Sequence, residues 1–201
     1  PGSRPRTYDD VKLILDAAKE LSRRKECCFV MVPAPMIDVG KLVDNLEGWM
    51  STAENSMLVS EGTRVRIYIG EVADAAVKAD LLIGLGGTAN QLCAGLGVPV
   101  VSILEKGKLI QKKLLKEAEV LVKADPLELA AAAEKILTDP DLRNRMRDAG
   151  IRNLGGTGAL DHVVEYCASA LGWDNRCKVY EKYRSFIEKR NGVGSTAEKE
   201  L

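Results

Sequence analysis

Aromatic residues make up only 4% of this 201-residue chain, and it has one histidine, His162. So few rings leave little surface on which nucleic-acid bases could stack. Neither sign of charge is in excess: 29 Lys and Arg balance 29 Asp and Glu, which argues against bulk binding to nucleic acid. No apolar run approaches the roughly 18 residues of a membrane span, and no signal peptide is visible. The expectation is a soluble, cytoplasmic chain, with peripheral contact at the inner membrane face left open. The five cysteines (Cys27, Cys28, Cys93, Cys167, Cys177) include no CxxC pair. Three of them sit in apolar runs, so they read as reduced core residues, neither a disulfide frame nor a zinc site. His162, beside Asp161 on a late helix, reads as a helix-face residue and not as a catalytic base.

What is present is an alternation of helix and strand signals. Leu13, Ile14, Ala17, Ala18 and Leu21 recur at helical spacing and predict a helix over Asp9–Lys25. Cys27 to Val32 reads as a buried strand, stopped by Pro33-Ala34-Pro35. Leu42, Val43, Leu46, Trp49 and Met50 mark one face of a second helix. Two β-type runs, Met57–Val59 and Val65–Ile69, flank a Glu61-Gly62 turn, and a helix over Glu71–Lys78 follows. Later come a helix near Leu109–Lys116, a strand at Val120–Val122 and three helices. Asp125-Pro126 and Asp139-Pro140 supply an N-cap and a first-turn proline each. The lysines at 106, 108, 112, 113 and 116 read as a solvated helix face. Gly155-Gly156-Thr157-Gly158, with no apolar strand ahead of it, reads as a connection between helices.

The most informative stretch is ADLLIGLGGTANQLCAGLGVP, Ala79 to Pro99. A short apolar run ends in Gly84, Gly86 and Gly87, and Thr88 opens a helix. Glycines let the backbone turn sharply and approach a ligand, and the helix start offers unpaired N–H groups to an anion. The strand Val98–Ile103 completes a βαβ unit. Phosphate or diphosphate is the ligand chemistry this implies. The whole pattern predicts an α/β fold, a parallel Rossmann-like sheet with helices on both faces and ligands at the carboxyl ends of its strands. The expected layout is a domain over 1–173, a C-terminal helix over 174–190 and a tail over 191–201. Val179, Tyr183, Phe186 and Ile187 give that last helix an apolar stripe. Pro1-Gly2-Ser3-Arg4 reads as the turn after a strand that is itself missing, or as a cloning remnant.

Together these pieces resemble the C-terminal half of a GT-B glycosyltransferase, with lipid-A-disaccharide synthase and its relatives as the nearest likeness. The resemblance rests on PGSR at Pro1–Arg4, YIGEVADAAVKAD at Tyr68–Asp80, GGTANQ at Gly86–Gln91 and GLGVP at Gly95–Pro99. Gln111 with Leu114-Leu115, and the segment Asp139–Tyr166, complete it. It implies a domain that holds a nucleotide-sugar, a UDP-sugar in most such proteins, with no metal or other cofactor. Gly2, Ser3 and Arg4 would face the sugar and phosphates, and the Ile69 backbone would touch uracil. Gly86, Gly87, Thr88 and Ala89 would hold the diphosphate, and Gln111 would join the donor pocket. Gln91, or Leu92 in a shifted register, stands where such families place a ribose-binding glutamate.

The function implied is the donor-binding half of a glycosyltransferase acting on a lipid-linked or saccharide acceptor, its acceptor domain and catalytic base lying outside this chain. Three departures keep a second reading open: Gln91 for the glutamate, Thr7 where relatives carry another glutamate, and the short EKGKLI loop at Glu105–Ile110. They suit a degenerate, non-catalytic nucleotide-binding or interaction module. A UDP-sugar 2-epimerase relative ranks third.

Overall fold

The computed structural model describes residues 7–52, 55–105, 108–155 and 159–172. Gly2, Ser3 and Arg4, Trp173 and the helix expected over 174–190 lie outside those residues. The chain divides into two units, Pro1–Gly156 and Thr157–Leu201.

The first unit opens with α1 (Thr7–Ser22), whose apolar spacing buries Val11, Leu15, Ala17, Ala18 and Leu21. Strand β1 (Phe29–Met31) follows, then α2 (Val39–Asp44), capped by the Asp38 carboxylate on the Lys41 N–H. The helix read through Trp49 and Met50 therefore stops early. Asn45 closes it, Gly48 turns the chain at φ +79°, and Met50–Ser51 is strand β2. Strands β3 (Met57–Ser60) and β4 (Thr63–Ile67) form a hairpin on the two-residue Glu61-Gly62 turn. Both turn residues have positive φ (+47° and +84°), the arrangement that suits the twist of a tight hairpin. These strands make a sheet in the order β1-β4-β3-β2, in which only β1 and β4 are parallel. The β3–β4 hairpin is antiparallel because a two-residue turn can join only antiparallel neighbours.

The second sheet, β5-β6-β7, is parallel throughout. It is built by β5 (Leu82–Ile83), α4 (Thr88–Gly95), β6 (Val100–Ile103), α5 (Lys108–Leu115) and β7 (Glu119–Val122). Helix α3 (Val72–Ala76) leads into it, and α6 (Pro126–Thr138) and α7 (Pro140–Leu154) follow. Asp125 and Asp139 cap the last two, with proline in the first turn, as their sequence predicts. Every residue of β6 is buried. Val101 and Ile103 pack with Leu129 and Ile136 of α6 on one face, and Val100 packs with Ala94, Leu115 and Ala149 on the other. Helices therefore cover both faces of this sheet. Each fully buried aliphatic side chain contributes about 1.5–3 kcal/mol.

The second unit shows α8 (Ala159–Ala170) among its described residues. His162 lies on it, 83% exposed, with Nδ1 3.7 Å from Glu165, the helix-face position expected of it. No helix among the described residues is long and apolar enough to cross a membrane. The cysteines depart from expectation: Cys93 is buried, but Cys27 is half-buried and Cys28 and Cys167 are exposed. Burial pushes the Cys93 and Cys27 thiols up from their ordinary range.

Candidate anion site at the glycine turn

Gly84 ends β5, and the chain turns through Gly86 (φ +112°) and Gly87 (φ +83°, ψ −162°) into α4. That conformation at Gly87 belongs to glycine almost alone. A β-carbon built there meets no atom within 4 Å, so the space above the turn is open and the backbone angle is what demands glycine. Gly87 is the N-cap of α4 and brings no side chain to the helix start, and no acidic residue stands in the first turn. The N–H groups of Thr88 and Ala89 are thus helix-start donors without an intrahelical acceptor, and Thr88 is exposed. They lie beyond the carboxyl end of β5, where parallel α/β sheets bind ligands.

Beneath the turn is a buried polar network. Gly87 donates its N–H to Gln111 Oε1 at 2.8 Å, and Gln111 Nε2 donates to Glu119 Oε1 at 2.5 Å. Asn90 Nδ2 donates to the same carboxylate oxygen at 3.3 Å and to the Gly84 carbonyl at 3.2 Å. Asn90, Gln111 and Glu119 are 1%, 8% and 1% exposed, and Glu119 Oε2 is buried without a partner. One carboxylate at the start of β7 thereby fixes both flanks of the glycine turn. Lys112 donates to the backbone carbonyls of Lys116, at 2.5 Å, and of Glu119. It serves as a backbone clamp, a correction to its reading as solvated charge.

Of the residues read from sequence, Gly86, Gly87, Thr88, Ala89 and Gln111 come together around this turn. Gln91 sits half-buried in the first turns of α4. Ile69 lies two residues beyond β4 and is 74% exposed. Glu119 and Asn90 are site residues that sequence reasoning missed. The one available signal was Glu119 itself, an acidic residue leading an apolar strand directly after buried Ala118.

No family model matches this chain, and no curated protein matches it in sequence. Among solved structures, the crystal structure of a UDP-N-acetylglucosamine 2-epimerase matches it with a TM-score of 0.57 at 19% identity. The match covers 82% of this chain and 42% of that one, so this chain spans less than half of the matched structure. A likeness at that identity establishes fold: the chain is an α/β domain of the Rossmann-like, GT-B-like kind.

Proposed function

We propose that this chain binds a UDP-sugar and forms the donor half of a GT-B glycosyltransferase that acts on a lipid-linked or saccharide acceptor at the cytosolic membrane face. The observation that carries the reading is the open, acid-free start of α4 at the carboxyl end of β5. In this reading the Thr88 and Ala89 N–H groups hold the diphosphate. Gly87 is committed to Gln111, so the Gln111–Glu119 pair shapes the turn from below. Gln91 would face the ribose hydroxyls, the Ile69 backbone the uracil, and Gly2, Ser3 and Arg4 the sugar and phosphates. Fixed N–H donors stabilise the UDP diphosphate as negative charge develops on it during cleavage of the glycosidic bond. The base and the acceptor site belong to an N-terminal half outside this chain, and no metal is invoked.

A second reading, a UDP-sugar 2-epimerase relative, is favoured by the name of the solved structure of matching fold. Product analysis separates the two. Full-length protein incubated with UDP-N-acetylglucosamine alone and with a lipid-linked saccharide acceptor is expected to consume donor only when the acceptor is present. Acceptor-independent formation of a mannosamine product would establish the epimerase reading instead. Binding without turnover in either arm would leave a non-catalytic nucleotide-binding module and overturn the transferase proposal.

A further inference from the structure

The hydrogen bonds under the glycine turn run in series from an accessible backbone donor to a buried charge. The Gly87 N–H donates to Gln111 Oε1 at 2.8 Å, and Gln111 Nε2 donates onward to Glu119 Oε1 at 2.5 Å. The outer end of the series is open: Gly87 and Thr88 are exposed, and a β-carbon at Gly87 meets no atom within 4 Å. The inner end is shut, with Gln111 8% and Glu119 1% exposed. Gln111 therefore touches both the backbone that would face an anion and the buried carboxylate.

Two features of this series do not suit a purely structural strut. Gly87 is the N-cap of α4, and its N–H adjoins those of Thr88 and Ala89, the donors an anion would use. A neutral amide oxygen thus sits on a donor where a phosphate oxygen would make a charge-assisted bond, roughly twice as strong. At the inner end, Glu119 Oε2 is buried without a partner, although the Gln111 amide beside it carries a second N–H. An unmet buried carboxylate oxygen is unfavourable, and the amide that could meet it is turned toward Gly87.

We propose that Gln111 is a displaceable internal occupant of the anion site, an inference that rests on the diphosphate reading above and deepens it. An incoming diphosphate takes the Gly87 N–H together with those of Thr88 and Ala89. The released Gln111 amide turns toward Glu119 and brings its second N–H to Oε2. The acceptor left unmet is then a neutral amide oxygen at the edge of the site in place of a buried carboxylate oxygen, the less unfavourable arrangement. The ligand gains a third backbone donor, but its apparent affinity falls with the fraction of molecules in which Gly87 is free. Gln111 acts through Gly87 and is a positioning residue. A neutral ligand group lacks the extra bond strength needed to displace it, so Gln111 also selects for anions.

The test titrates the parent and Gln111→Leu with pyrophosphate, UDP and UDP-N-acetylglucosamine. Leucine fills the volume of the amide but accepts nothing from Gly87. The variant is therefore expected to bind pyrophosphate about 10-fold more tightly than the parent, in spite of its lower stability. A residue that only shapes the turn would give the other sign, so weaker or unchanged binding by a folded variant overturns the proposal. Should the variant fail to fold, the amide NMR spectrum of the parent gives a readout that needs no substitution. Saturating pyrophosphate is expected to shift the Gly87 amide with those of Thr88 and Ala89, and the Gln111 side-chain amide as well. Shifts at Thr88 and Ala89 alone overturn the proposal, and so does the absence of any shift at these residues. Pyrophosphate also separates this inference from the UDP-sugar reading. The expected changes with pyrophosphate, but no binding of UDP or UDP-N-acetylglucosamine, would uphold the displaceable Gln111 and refute the UDP-sugar.

Discussion

A buried carboxylate is costly unless hydrogen-bonded, and Glu119 meets that cost with two amide donors, Gln111 and Asn90. Gln111 in turn satisfies the Gly87 N–H, so it links the carboxylate to the turn. Replacing Gln111 with alanine strands the Gly87 N–H and leaves Glu119 with Asn90 as its one amide donor, and is expected to lower stability by about 1–3 kcal/mol, read from urea unfolding. Substitution of a solvent-facing residue would change little, so a loss within about 0.5 kcal/mol would contradict the network's role. This layer was poorly legible in the sequence. Gly86, Gly87 and Thr88 announce themselves by type and order, but Asn90, Gln111 and Glu119 lie on three elements. Nothing in their spacing shows that one oxygen receives two amides.

At the scale of elements, helices pack closely where α7 crosses α4. A β-carbon at Gly150 would lie 2.1 Å from the Ala94 carbonyl oxygen, so only glycine fits this crossing. Gly150→Ala is expected to cost about 1–3 kcal/mol through forced separation of the helices, read as a lowered midpoint of urea unfolding. The hairpin of β3 and β4 is tied to α1 by charge: Glu61 receives Arg23 at 2.6 Å and Lys19 at 3.3 Å. The Arg23 hydrogen bond, then that of Lys19, holds the Glu61 carboxyl below its usual value. A depressed folded-state pKa adds stability above the unfolded value of about 4.3, and this is lost as pH falls through the folded value. Glu61→Gln should therefore be less stable than the parent at pH 7, and the difference should vanish toward pH 3. A difference that persists there would show that charge is not its source. The capped helices at Pro126 and Pro140 were legible because cap and proline act locally. The end of α2 was not, since Trp49 continues the helical spacing while Gly48 and burial beside Leu58 draw the chain into a strand.

At the scale of the molecule, the alternation of apolar strand and amphipathic helix made the α/β class legible. Strand order and the mixed first sheet were not, because pairing across the sheet is decided by tertiary packing. The central claim is that the start of α4 holds the diphosphate of a UDP-sugar. It is tested most directly by isothermal titration of the parent and Thr88→Pro with UDP and UDP-N-acetylglucosamine. Proline at the first helical position leaves the helix intact while removing one N–H donor and the hydroxyl. The account predicts saturable binding by the parent and roughly 10–100-fold weaker binding by the variant, the loss of a charged hydrogen bond worth about 1.5–3 kcal/mol. Folded parent protein that gives no binding heat up to about 1 mM ligand, or a variant that binds as tightly as the parent, would contradict it.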